Sequence, residues 1–137
     1  MATVSFFAFV FAALMGLTMA VRHWRGQTSG KAFGIVHGLW ALAGIALLAS
    51  SLAQRDAGWG WWVLASFGVV ALGGLYQFSK QVRGQKWSEV VLWAHGGLAL
   101  VTLAALGVWL FARPEPQSAP GAPAGTTENL PIDASAP

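Results

Sequence analysis

The chain has 137 residues, 55% of them hydrophobic and only 9% charged, with a mean hydropathy of +0.57. A soluble domain carries about a quarter charged residues, so the composition excludes an ordinary water-soluble fold and points to a polytopic membrane protein of one domain. The absence of cysteine excludes disulfides, thiolate metal sites and thiol catalysis; the net charge of +3 is no nucleic-acid signal, because six of the eight basic residues fall in two short segments between apolar runs.

The first apolar run, about Thr3–Val21, carries no charge. A signal peptide places its positive charge before the apolar core, whereas Arg22 and Arg25 follow this one, so the run reads as a mature helix. Arg22–Lys31 is a basic loop broken by Gly26, Ser29 and Gly30. The pattern predicts a second helix over Ala32–Ala53 and a short turn, Gln54–Gly58, holding Arg55 and Asp56. A third helix is expected over Trp59–Phe78, led in by Trp59, Trp61 and Trp62 as an interfacial aromatic belt. Ser79–Trp87, with Lys80, Arg83 and Lys86, is the second basic loop, and the fourth helix is expected over Ser88–Phe111. Ala112–Pro137 holds all six prolines among Ala, Gly, Ser and Thr; such a composition buries no core and predicts a disordered tail.

Sliding the chain along itself until Arg25 meets Arg83 superimposes the two halves. This register aligns Arg25-Gly26-Gln27 with Arg83-Gly84-Gln85, His37-Gly38 with His95-Gly96, and Gly16-Leu17 with Gly74-Leu75. Across positions 9–53 it gives 15 identities in 45 pairs, charged triplets included. That is the mark of a duplicated two-helix unit, repeat 1 over about 3–53 and repeat 2 over about 61–111. Short loops make successive helices antiparallel, so the expected fold is an all-α bundle of four membrane-spanning helices. Its two repeats share one orientation, related by an axis along the membrane normal. Lys and Arg favour cytoplasmic loops, which puts both basic loops in the cytoplasm and both termini in the periplasm.

Each repeat carries one histidine inside its second helix. At 1.5 Å per residue His37 lies about 8 Å, and His95 about 10 Å, from the cytoplasmic end of its helix, with Gly16 and Gly74 at much the same level. The matched residues follow helical faces: His37, Ala41, Leu48 and Leu52 fall within about 60° of arc, and Phe9, Ala13, Gly16 and Leu17 within about 100°. The layer is uneven, since Gly34 is matched by Leu92 and Leu39 by Gly97. Glycines in membrane helices bring backbones together, which by itself explains them. An ionisable side chain in hydrocarbon is a functional-site hypothesis, its plain alternative being a neutral imidazole tying helices together.

Paired imidazoles at one depth, with flanking glycines clearing volume, suit a flat macrocycle ligated on both faces, and haem takes neutral imidazole as an axial ligand. Arg22, Arg25, Lys80 and Arg83 lie where they can meet propionates at the near interface. A lone zinc wants three or four ligands and fits this layer less well. In ligand arrangement the chain resembles the membrane b-type cytochromes, which implies haem b held by His37 and His95, with Gly16, Gly74, Gly38, Gly96, Arg25 and Arg83 around it. The duplicated Arg-Gly…His-Gly unit also resembles small uncharacterised four-helix proteins of the bacterial inner membrane, which implies that location and no activity.

Three functions stay open: a haem-b electron-transfer protein or redox subunit serving a quinone or another redox protein; a structural or accessory subunit without cofactor; and a small-solute or proton carrier. Apart from Glu89, at the interfacial start of the fourth helix, the membrane-embedded segments hold no acidic residue, which counts against the carrier, and no phosphate loop, nucleophile–base pair or carboxylate dyad points to an enzyme. Lys31 and Glu89, matched and opposite in charge, invite a pairing across the axis worth little near an interface, with capping or solvation as the alternative. His23 has Gln81 as its counterpart and reads as solvated; Trp40 and Trp93, unmatched, read as packing residues. The lipid bilayer is the expected surrounding, and an oligomer is compatible with the composition.

Overall fold

The structure, a computed structural model, describes residues 1–54 and 58–112. The expected turn at Arg55 and Asp56 and the tail from Arg113 onward lie outside the described residues. Within them are four helices, α1 (Ala2–Trp24), α2 (Lys31–Leu52), α3 (Gly60–Val82) and α4 (Glu89–Phe111), each long and apolar enough to cross a membrane. The protein is a four-helix transmembrane bundle built from two tandem hairpins, α1–α2 and α3–α4.

The helices run further into the basic segments than their charges suggest. α1 continues through Arg22 and His23 to Trp24, and α3 through Ser79 and Lys80 to Val82. Long basic side chains carry their charge out to the interface while the backbone stays helical, so a charge does not end a membrane helix. What ends these two is glycine. Gly26 and Gly84 sit at φ 69° and 68°, a left-handed conformation that costs other residues energy. In the same turns Gln27 N–H reaches the Arg22 carbonyl at 2.8 Å, and Gln85 N–H reaches that of Lys80 at 2.9 Å. The duplicated Arg-Gly-Gln triplet is therefore a helix stop used twice. Alanine at Gly26 or Gly84 is expected to lower stability by about 1 kcal/mol each, measured as the shift of the unfolding midpoint in mixed detergent micelles.

Each helix packs against two others: α1 on α2 and α4, α3 on α2 and α4. Among the described residues α2 does not approach α4, nor α1 approach α3, at backbone level. The bundle is thus square in section, and matched helices face one another across its centre. Two matched aromatic rings fill one diagonal: Phe9 of α1 stacks on Phe67 of α3, centroids 3.8 Å apart and planes 2° from parallel. Leu48 and Leu106, also matched, are fully buried (0%) beside them. Gly44 lets this happen on the α2 side, since a Cβ there would stand 2.8 Å from the Phe9 ring. The dense core occupies the half of the bundle away from the basic loops, and the histidines lie in the other half.

Candidate functional site

α2 begins at Lys31 and α4 at Glu89, so His37 and His95 are each the sixth residue beyond the helix start and share a depth of about 9 Å. Their side chains are seated identically. His37 Nδ1 lies 2.9 Å from the Ala12 carbonyl oxygen on α1, and His95 Nδ1 lies 2.8 Å from that of Val70 on α3. Ala12 and Val70 are themselves a matched pair in the register of the repeat. A carbonyl only accepts, so each Nδ1 carries the proton and donates; in the neutral ring Nε2 is then left as a lone-pair donor. Among the described residues neither Nε2 has a hydrogen-bond partner, and neither is buried without access.

The glycines of this layer act through the rings. A Cβ on Gly16 would stand 3.1 Å from His37 Cε1, and one on Gly74 3.0 Å from His95 Cε1. Each imidazole lies edge against the backbone of the neighbouring helix in its own hairpin, and only glycine leaves room for it. The two rings face each other across the α2–α4 diagonal with centroids 6.3 Å apart and planes crossed at 71°, an edge-on approach and not a face-to-face one. The backbones of α2 and α4 stay apart, so the rings meet at the bundle centre and not in a seam between adjacent helices.

They open on a cavity of about 470 Å³ lined by apolar side chains, with Phe9 and Phe67 as its floor and Phe78, Gln81 and Trp87 toward the loop end. Such a volume falls in the range of small-molecule and cofactor sites, about 300–1,000 Å³. Of the other glycines singled out by the repeat, Gly38 lines this cavity and Gly96 does not; a Cβ at either meets nothing within 4 Å. Arg25 and Arg83 are exposed residues at the C-terminal caps of α1 and α3, outside the lining. Gly34, one of the uneven positions, brings α3 close: a Cβ there would stand 2.9 Å from Gln81 Oε1 and 3.1 Å from the Phe78 ring.

No family model, curated protein or solved structure matches this chain.

The site is therefore read from its own chemistry. Among the described residues no group of three or more His, Asp or Glu side chains is placed to hold a metal ion. Two imidazoles alone suit a group that brings its own equatorial ligands.

The loop end holds residues that the chain pattern does not single out. His23 is not merely solvated: its Nε2 lies 2.8 Å from Glu89 Oε1 and its ring stacks on Trp87. Glu89 is thus taken by His23 and not by Lys31, and the cap of α4 is Ser88, whose hydroxyl accepts from Val91 N–H. Gln81, the counterpart of His23, donates to the Ser29 carbonyl at 2.7 Å. Positions 23 and 81 do the same job, each tying the end of one hairpin's first helix to the start of the other's second. Gln77 donates to the Ser88 carbonyl at 2.8 Å and accepts from Ser88 N–H at 3.1 Å. Trp93 stacks on Trp24 and Trp40 packs on Phe11, both as packing residues.

Proposed function

We propose that this membrane protein holds haem b between His37 and His95 and serves as an electron-transfer protein or as the haem-bearing subunit of a redox complex. One observation carries the reading. Two matched histidines, each with Nδ1 committed to a carbonyl, leave two unpartnered Nε2 atoms at one depth on a shared apolar cavity. A carbonyl on the far nitrogen is what orients an imidazole as a metal ligand and raises its basicity. Haem b bound there supplies a one-electron couple inside the bilayer. His37 and His95 hold it from the two sides, Gly16 and Gly74 set the ring positions, and the apolar walls keep water away. Gly38 contributes open volume on the α2 side. Gly96, Arg25 and Arg83 are carried by the repeat alone, the arginines as loop-end cations available to carboxylates at the interface.

The positive-inside rule orients the bundle with both basic loops in the cytoplasm and the termini in the periplasm of a bacterial inner membrane. The haem layer then lies on the cytoplasmic side, and a quinone or another redox protein is the partner class. The accessory reading draws on the same hydrogen bonds: a histidine tied to a carbonyl of the next helix is also an interhelical clasp.

Visible spectra of protein purified from haem-replete cells decide between them. The expected result is a Soret band that shifts on dithionite reduction, at one haem per chain. A colourless preparation that retains no haem once excess haemin has been added and removed overturns the haem reading and leaves the clasp.

A further inference from the structure

The duplication makes the two seams between hairpins, α2–α3 and α1–α4, equivalent by sequence register, yet they are built differently. The α1–α4 seam carries ring contacts at both of its ends. Phe6 meets Phe111 edge-on at 5.5 Å, a Cβ on Gly107 would stand 3.3 Å from Phe6, and Trp24 stacks on Trp93 at 5.1 Å. Beyond them, at the loop end, His23 pairs with Glu89. The α2–α3 seam is drawn together at Gly34 by Phe78 and Gln81 and is then lined by aliphatic side chains.

The lining of the cavity shows the consequence. Its exposed members, Ile35, Leu39, Leu42, Leu72 and Leu75, all belong to α2 or α3; the α1 and α4 members of the lining are buried or half-buried. Leu72 is 68% exposed on the outside of the bundle and still borders the cavity within. The matched residues on the other seam, Trp93, Gly97, Leu100, Leu14 and Leu17, border no part of it. Among the described residues the cavity lining therefore reaches the outer surface of the bundle through α2 and α3 and not through α1 or α4.

We infer that the space between His37 and His95 exchanges its occupant with the bilayer through the α2–α3 seam, so that the macrocycle enters edge-on from lipid between Leu39 and Leu42 of α2 and Leu72 and Leu75 of α3. The inference rests on the haem reading. Lipid is the source because the doorway is apolar: the macrocycle's ring passes from hydrocarbon into an apolar cavity, while its propionates stay at the loop-end interface. At the loop end the cavity is bordered by Gln81, which is tied to the Ser29 carbonyl, and by Trp87.

The repeat supplies its own controls. Gly38→Phe adds bulk to a residue that lines the cavity beside the doorway, and Gly96→Phe makes the same change at the matched position outside the lining. Leu75→Trp narrows the doorway from α3, and Leu17→Trp is its counterpart on α1. Haem-free protein in lipid nanodiscs is mixed with haemin carried in liposomes, and loading is followed by growth of the Soret band. Gly38→Phe and Leu75→Trp are expected to load about tenfold more slowly, and Gly96→Phe and Leu17→Trp at the wild-type rate. Release to a haem scavenger is expected to slow by the same factor in Leu75→Trp, because a doorway changes both rates and not the affinity.

Equal loading by all four variants, or slowing at α1 and α4 instead, overturns the seam assignment while haem binding stands. A wild-type protein that takes up no haemin overturns both. Helical circular dichroism identifies a variant that has not folded, and the other member of its pair then decides.

Discussion

His95→Ala is expected to yield a folded, colourless protein, and His37→Ala the same, although each leaves one imidazole in place. On the haem proposal, a macrocycle that lost one of its two histidines would face an apolar gap where that ring stood, since among the described residues no third histidine, acidic side chain or cysteine approaches the cavity. Met19, which lines the cavity from α1, is the one thioether nearby; capture by it would give a changed spectrum and not a lost one. Imidazole added to either alanine variant during haemin loading is expected to restore the wild-type Soret band, because truncation leaves a ring-sized hole. A histidine serving only as a clasp predicts otherwise. Its removal deletes one interhelical hydrogen bond, worth about 0.6–2 kcal/mol in a membrane protein, and shows as a modest loss of stability with no spectral change and no rescue.

The spans, the duplication and the histidine layer are legible in the sequence because each rests on a local signal. Apolar runs long enough to cross a membrane have one reading, and an Arg-Gly-Gln triplet repeated at the matched place in the second half cannot come from composition alone. Even the diagonal core is written in the register, since Phe9 and Phe67 are identical partners on a shared face. That they stack on each other across the bundle depends on a fact no periodicity holds, namely which helices are adjacent and which are opposite. Helix ends read from charge fall short, because a left-handed glycine and not a charge is the stop: α3 runs on past Phe78 to Val82. His23, Gln77 and Gln81 do not announce themselves as interface residues. Their partners are backbone groups or a carboxylate, and the only hint is that positions 23 and 81 are both polar and matched. The difference between the two seams arises where the repeat fails, at Gly34 against Leu92 and at Ile35 against Trp93, so unmatched positions carry as much of the site as matched ones.

Gly74→Leu is expected to be among the most damaging single changes in the half of the bundle that carries the histidines. Its Cβ alone would stand 3.0 Å from His95 Cε1, and the leucine methyls extend further along the same line. The ring must leave the Val70 carbonyl or α3 and α4 must part. Overpacking of this kind costs about 1–3 kcal/mol, to which the lost hydrogen bond adds. Gly16→Leu should match it, acting through His37 and the Ala12 carbonyl. The cause can be isolated by a double-mutant cycle in mixed-micelle unfolding. With His95→Ala the ring that meets the leucine is gone, so the pair should be less destabilising than the sum of its parts by about 1–2 kcal/mol. Gly16→Leu combined with His95→Ala changes two sites in different hairpins that meet only through the His37–His95 ring contact, and their coupling should be smaller than that of the matched pair. Coupling of equal size in the matched and the crossed pairs would mean that the four helices shift as one body. In that case the glycine in each hairpin would not be what seats that hairpin's histidine.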